Sequence, residues 1–260
     1  MIQLLQNIEP INGVYRLSDP SRFSLLENIY LKTRRTEARV YSDEVVIKLP
    51  IIDERSGHKV EWGIRANSTQ KLIKYFRSKS KTLTILDLGC GNGWMSNLLA
   101  QIQGSEVYAV DVNLYELEQG ARVFKDTARL KFVYADIVEE FKLENTFDVI
   151  IMAGSIQYFP DIKQLIGKLL QHLTDHGELH VIDSPFYSAE EALKATRRTE
   201  NYARSIGVPE FAQYYHHHCI NDLKGFHVAE LYDPESLANR VLRKILHLPL
   251  SPFPWMRITK

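Results

Sequence analysis

The chain has 260 residues, 45% of them hydrophobic and 25% charged, with Lys plus Arg equal to Asp plus Glu at 32 each. That is enough chain for a sizeable core in one large domain or two small ones, and the neutral balance argues against nucleic acid as the main partner, because phosphate binding goes with a basic excess. Two cysteines, Cys90 and Cys219, make no disulfide framework and suit a reducing, cytoplasmic setting.

No stretch reaches the length of a membrane span. The opening "MIQLLQNIEPINGVYRL" carries acid and polar residues early and lacks the basic-then-apolar order of a secretion signal. "SLLENIYLKTR" (24–34) predicts a helix with a Ser-x-x-Glu cap. "EVVIKLPII" (44–52) looks extended, with Pro50 pointing to an edge position. "NSTQKLIKYF" (67–76) predicts a short helix. Residues 1–80 are expected to be an extension packed on a core domain of residues 81–260.

From residue 83 the pattern becomes regular. "LTILDL" (83–88) is an apolar strand, followed by a helix with Met95, Leu98, Leu99 and Ile102 on one face, ending at Gly104. "EVYAVDV" (106–112) is a strand, and Leu114, Leu117, Ala121 and Phe124 form a helical stripe. "KFVYADI" (131–137) and "FDVIIMAG" (147–154) are strands, 162–173 an amphipathic helix, and "ELHVIDS" (178–184) a fifth strand. Ser188 opens a capping box for a helix to about Ile206. "GFHVAELY" (225–232) predicts a strand, 234–246 a helix with Pro234 in its first turn, and "FPWMRIT" (253–259) a last strand. Such alternation implies a parallel sheet with helices on both faces.

Within this frame "LDLGCGNGW" (86–94) places Gly89, Gly91 and Gly93 directly after the first core strand. Glycine there costs backbone entropy, which is tolerated where a ligand must approach bare main chain. In open parallel sheets ligands sit at the carboxyl ends of the strands, and Asp111 and Asp136 end the next two strands. Asp111 can accept from two ribose hydroxyls, and Asp136 from an exocyclic purine amine. A dinucleotide fingerprint needs a third glycine where Trp94 stands, so a pyrophosphate would meet an indole. Asp87 before the turn further favours a ligand with a cationic or amino group and no phosphates.

Together, "LDLGCGNGW", "VYAVDVN", "YADI", "FDVIIMAGSIQYFPD" and "GELHVIDS" resemble the class I S-adenosylmethionine-dependent methyltransferases, over residues 80 to 185 in motifs. The resemblance implies an α/β, Rossmann-like, seven-stranded, mostly parallel sheet with helices on both faces and an antiparallel last strand. It places the cofactor's amino-acid end at Asp87, Gly89, Cys90 and Gly91, its ribose at Asp111 and Val112, and its adenine at Asp136 and Ile137. Ala153, Gly154 and Ser155 would line the sulfonium, with Gln157 and Tyr158 toward the substrate. Trp62 and Arg65, in "HKVEWGIRANS" (58–68), are further candidates: Arg65 for the cofactor carboxylate, Trp62 to cover the methionine chain, against a plain surface Arg and packing Trp.

The expected function is methyl transfer from S-adenosylmethionine to a small organic molecule at oxygen, nitrogen or carbon, by in-line displacement, releasing S-adenosylhomocysteine. The protein would supply alignment and water exclusion. A base is needed only if the acceptor loses a proton. "YYHHHC" (214–219) offers His216, His217 and His218, with Tyr158 nearby, and the sequence does not choose among them. Adjacent histidines in an extended segment alternate faces and no second ligand cluster is evident, so no metal site is expected. The alternatives are a nucleic-acid or protein methyltransferase, whose Asn/Asp-Pro-Pro-aromatic run is lacking in "AGSIQYFPD", or a non-catalytic cofactor-binding module. An NAD-dependent oxidoreductase is disfavoured by Trp94.

Overall fold

The computed structural model describes residues 5, 8–53, 55–79, 82–138, 146–245 and 247–260. Its strands are β1 (Val14–Arg16), β2 (Thr84–Leu88), β3 (Glu106–Asp111), β4 (Leu130–Tyr134), β5 (Phe147–Ala153), β6 (Leu173–Ile182), β7 (His227–Tyr232) and β8 (Trp255–Thr259). They form one sheet in the order β1-β4-β3-β2-β5-β6-β8-β7. β8 runs antiparallel to both its neighbours, and the other pairings are parallel. The helices are α1 (Ser24–Thr36), α2 (Asp43–Val46), α3 (Lys59–Arg77), α4 (Trp94–Ala100), α5 (Leu114–Val123), α6 (Ile162–Gln171), α7 (Ala189–Ser205) and α8 (Leu237–Lys244).

The central strands are apolar throughout because both faces are covered. Leu86, Leu88, Ile150 and Met152 pack with Ile162, Leu165, Ile166 and Leu169 of α6. Their alternates Ile85, Val149 and Ile151 pack with Leu72 and Phe76 of α3 and Leu99 of α4 on the opposite side. The direction in which strands are added reverses between β2 and β5, so a crevice opens at their carboxyl ends. Asn113 and Asp161 cap α5 and α6, and Ser188 and Glu191 form the expected capping box on α7.

The sheet has eight strands where seven were expected. The extra one, β1, pairs with β4 through Val14 and Phe132; at three residues it is too short to leave an alternation signal. Residues 44–52 are not extended. Asp43 and Glu44 start the helical turn α2 and bury Val46, with turns continuing to Pro50. Ser24 and Glu27 form no capping box: Ser24 Oγ donates to Ser21 O, and Glu27 accepts from Tyr115 N. α3 starts at Lys59, eight residues earlier than predicted. Gly63 broke the helical pattern, yet it lets the chain at Pro249 pass close, since a Cβ there would lie 3.3 Å from the Pro249 ring. α8 begins after Ser236, which caps it, so Pro234 precedes the helix; residue 246, the last predicted for it, lies outside the described residues, as do residues 80 and 81 at the expected domain boundary.

On the far side from the crevice ends, Glu178 of β6 is 8% exposed and meets Tyr75, Lys79, His180 and Arg257. His180 Nδ1 accepts from Trp255 Nε1, so its hydrogen sits on Nε2 and is donated to Glu178. Burial pushes the Glu178 carboxyl up, but these donors and cations overrule it and hold it at about 2, below the ordinary 4.5. Its contribution is therefore complete above pH 4.5 and lost as pH falls toward 2. Burial likewise lowers His180 below 6.5, which adds to acid sensitivity. Glu178→Gln should cost about 2 kcal/mol at pH 7 and flatten the loss of stability between pH 4.5 and 2, read from thermal melts across that range.

Candidate active site

The turn after β2 is shaped by three glycines in the left-handed region, Gly89, Gly91 and Gly93, with φ of +74°, +56° and +71°. Their neighbours leave no space for side chains. A Cβ on Gly89 would sit 2.4 Å from Ser155 Cβ, and one on Gly93 2.4 Å from the Phe132 ring. Gly120 of α5 belongs to the same arrangement: a Cβ there would lie 2.3 Å from Asn92 O, so the helix lies directly beneath the turn. Asp111 fastens it, with Oδ2 accepting from Gly91 N at 2.8 Å and Oδ1 from Val112 N and Asn113 N at 2.7 and 2.9 Å. Burial pushes the Asp111 carboxyl up against these three N–H groups.

Around this turn lies a crevice of ≈ 1140 Å³. Clefts that take one small ligand span about 300–1,000 Å³, so this one lies just above that range. Asp87, Gly89, Cys90, Gly91, Asp111, Val112, Asp136, Ile137, Ala153, Gly154, Ser155, Trp62, Arg65 and Tyr158 all line it. Asp87 is 1% exposed, accepts from Ser96 Oγ at 2.6 Å, and is pushed by burial up to about 7. Asp136 Oδ1 accepts from Val138 N, and its backbone N donates to Ser18 Oγ. Ser155 Oγ donates to Leu88 O, tying the segment after β5 to the glycine turn. Trp62 donates from Nε1 to Tyr41 and meets Trp94 edge to face at 5.2 Å, while Arg65 lies over Trp62 and pairs with Glu61. Both belong to α3 itself rather than to a segment before it.

Of the three histidines only His217 lines the crevice. The run is held along the segment after β5, with His216 N donating to Gln157 O and His218 Nε2 against Ile156 O. The rings of His216 and His218 are 6.4 Å apart on one side, and His217 faces Tyr187 and Tyr215. Burial lowers all three below 6.5. The Tyr158 hydroxyl accepts from Arg34, and burial pushes it up, so it stays protonated.

Several crevice residues were missed. Glu116 lies half-buried beside Gly91, is hydrogen-bonded to Asn113, and is pushed by desolvation up to about 7. Its place three residues after Asn113 reads as a helix cap, which hides it. Asp183 ends β6 at φ +51°, accepts from Ser68 and lines the crevice; an acid closing a strand, as at Asp111, was the available signal. Tyr30 and Arg34 on α1 gave no signal beyond an amphipathic helix. Among the described residues no cluster of three or more His, Cys, Asp or Glu is suited to a metal, and no helix is long and apolar enough to cross a membrane.

The strand order, the antiparallel β8 and the glycine turn define a Rossmann-like fold of the methyltransferase type. Residues 85–177 match a family model described as a methyltransferase domain. The chain is 26% identical over 192 residues to a malonyl-[acyl-carrier protein] O-methyltransferase of Bacillus cereus, covering 70% of this chain and 69% of that protein. It is 32% identical over 125 residues to a ubiquinone biosynthesis O-methyltransferase of Rickettsia prowazekii, covering 45% and 49%. Further malonyl-[acyl-carrier protein] and ubiquinone biosynthesis O-methyltransferases are matched over 35–45% of their own length. The crystal structure of magnesium protoporphyrin IX methyltransferase from Synechocystis PCC 6803, with bound S-adenosylhomocysteine, is similar with a TM-score of 0.54 at 15% identity, over 90% of this chain and 97% of that one. In fold and over the matched domain the chain is thus similar to the class I S-adenosylmethionine-dependent methyltransferases.

The packing of the turn has a measurable consequence. Gly89→Ala meets both a clash and a left-handed φ, whereas Gly207→Ala, at φ +71°, meets open space. Gly207→Ala should cost about 1–2 kcal/mol, the backbone term alone, and Gly89→Ala at least about 1 kcal/mol more, by denaturant titration.

Proposed function

We propose that this chain transfers a methyl group from S-adenosylmethionine to a hydroxyl or other nucleophilic atom of a small organic acceptor. One observation carries the reading: bare main chain at Gly89–Gly91 lies beside the carboxyl groups of the buried Asp87 and the half-buried Glu116, in a crevice of ≈ 1140 Å³. Buried carboxylates favour a ligand bearing ammonium and sulfonium charge and repel a pyrophosphate. The buried Trp94 indole next to the turn acts in the same direction.

When bound, S-adenosylmethionine supplies a methyl carbon on a positively charged sulfur. Asp87, Gly89, Cys90 and Gly91 take its amino-acid end, Asp111 and Val112 its ribose, and Asp136 and Ile137 its adenine. A carboxylate has about four acceptor sites, and backbone N–H groups occupy three on Asp111. Asp111 therefore takes one ribose hydroxyl, and Glu116 offers a further acceptor on the same side. Ala153, Gly154 and Ser155 border the sulfonium. Trp62 and Arg65 form the wall contributed by α3, within the extension of residues 1–80 that packs on the 81–260 domain. The similarity to enzymes named O-methyltransferases supports oxygen as the methylated atom. His217 is the base, and the protonated Tyr158 hydroxyl positions the acceptor.

Calorimetry should give binding of S-adenosylmethionine and S-adenosylhomocysteine and none of NAD. Asp111→Ala should weaken both by at least about tenfold, roughly 1.4 kcal/mol. Labelled methyl should enter a metabolite extract after nuclease and protease treatment; absence of S-adenosylmethionine binding would sink the proposal. The charged and titratable groups facing His217 are Arg198, His216, His218, Tyr187 and Tyr215. Since His217 acts neutral and its pKa lies below 6.5, the initial rate should hold near pH 7 and fall only below pH 6.5. His217→Asn should remove that limb of the profile.

A further inference from the structure

Beyond the cofactor side the crevice is walled by aromatic rings. Tyr158 meets Tyr215 edge to face at 5.8 Å and 80°, Tyr215 lies 5.3 Å from His217, and His217 lies 5.5 Å from Tyr187. Such a run of rings offers its free edges and faces to a further planar ring packed beside it.

Two buried polar atoms on residues that line the crevice have no hydrogen-bond partner among the described residues: Gln157 Oε1 and His217 Nδ1. Gln157 Nε2 is occupied with Gly154 O, which fixes the amide so that an acceptor is left over. His217 Nε2 lies 2.9 Å from Thr199 Oγ1. With the ring hydrogen on Nε2 and donated to Thr199, Nδ1 presents a lone pair. Both atoms then call for a ligand that donates hydrogen. Leaving a buried acceptor unmatched costs about 1–3 kcal/mol, so the complement is a hydroxyl and not another acceptor.

Charge supplies the third element. The crevice lining includes Arg34, Arg39, Arg65 and Arg198. The first pairs with Glu37, and the next two with Glu61. Arg198 of α7, an exposed residue, forms no ion pair within 4 Å among the described residues; Glu191 feels its charge, and it hydrogen-bonds Tyr187 and sits near His217. A guanidinium at the crevice wall with no carboxylate in direct contact suits an anionic group on the ligand.

We infer that the methyl acceptor is an aromatic hydroxy acid, with its ring beside Tyr158, Tyr187 and Tyr215, its phenolic hydroxyl donating to His217 Nδ1, and its carboxylate on Arg198. The inference rests on the methyltransferase reading. The phenolic O–H proton passes to His217 Nδ1, and the oxygen lone pair forms the new O–CH3 bond. The methyl–sulfur bond breaks with its pair going to sulfur, which leaves neutral S-adenosylhomocysteine, and the imidazolium returns its proton to water. Arg198 beside the oxygen-bearing ring also favours the charge that develops there.

The test uses the full chain saturated with S-adenosylhomocysteine, titrated with 3-hydroxybenzoate, 4-hydroxybenzoate and 3-(4-hydroxyphenyl)propionate. The analogues are benzoate and 3-phenylpropionate, which lack the hydroxyl, and phenol, which lacks the carboxylate. At least one hydroxy acid should bind at least about tenfold tighter than its analogues. Arg198→Gln should bring it to the level of phenol and leave phenol unchanged. With S-adenosylmethionine, NMR should place the methyl on the phenolic oxygen. The inference is overturned if no hydroxy acid exceeds its analogues, if Arg198→Gln weakens phenol equally, or if the methyl lands on the carboxylate or on nitrogen. A protein that takes S-adenosylhomocysteine but fails these arms loses only the acceptor assignment; one that does not take it loses the methyltransferase reading as well.

Discussion

The hydrogen bond from Gly91 N to Asp111 Oδ2 at 2.8 Å joins the exits of two neighbouring strands, and the rest of the crevice is arranged around it. It holds the turn after β2 in a conformation that side chains would resist. The turn in turn lies against Ser155, Phe132 and Gly120, which belong to three other elements. The segment after β5, the second half of α5 and the middle of β4 therefore share one small area of contact. Nothing in that area can shift alone, which is what a site that aligns two reactants requires.

A second constraint is electrostatic. Asp87, Asp111 and Glu116 lie within the same buried region, and burial raises all three. Asp111 has three N–H donors to support its charge. Asp87 and Glu116 have weaker support and sit at about 7, so both are partly protonated at neutral pH. A cation entering the crevice supplies the missing counter-charge and releases those protons, which couples occupancy of the site to pH.

Much of this was legible in the sequence because the central strands and the glycine turn are local signals. "LDLGCGNG" and the acids at 111 and 136 each announce themselves within a strand and its exit. What escaped depended on contacts between distant segments. Gly63 looks like a helix breaker until Pro249 is seen beside it. Glu116 looks like a capping residue until the turn that it faces is in place. The alternation of faces along 216–218 was expected, but which face meets the crevice is set by hydrogen bonds to Ile156 and Gln157, sixty residues away in sequence.

The placement of β8 bears on how the molecule assembles. β8 lies between β6 and β7, both of which precede it in the chain. While synthesis proceeds from the N-terminus, β6 is an open edge and β7 has no seat in the sheet until residues 255–259 have emerged. An unpaired edge of that kind is a template for pairing with other chains. The nascent protein thus passes through a stage in which one side of β6 is uncovered, and it leaves that stage only when the antiparallel strand slides in.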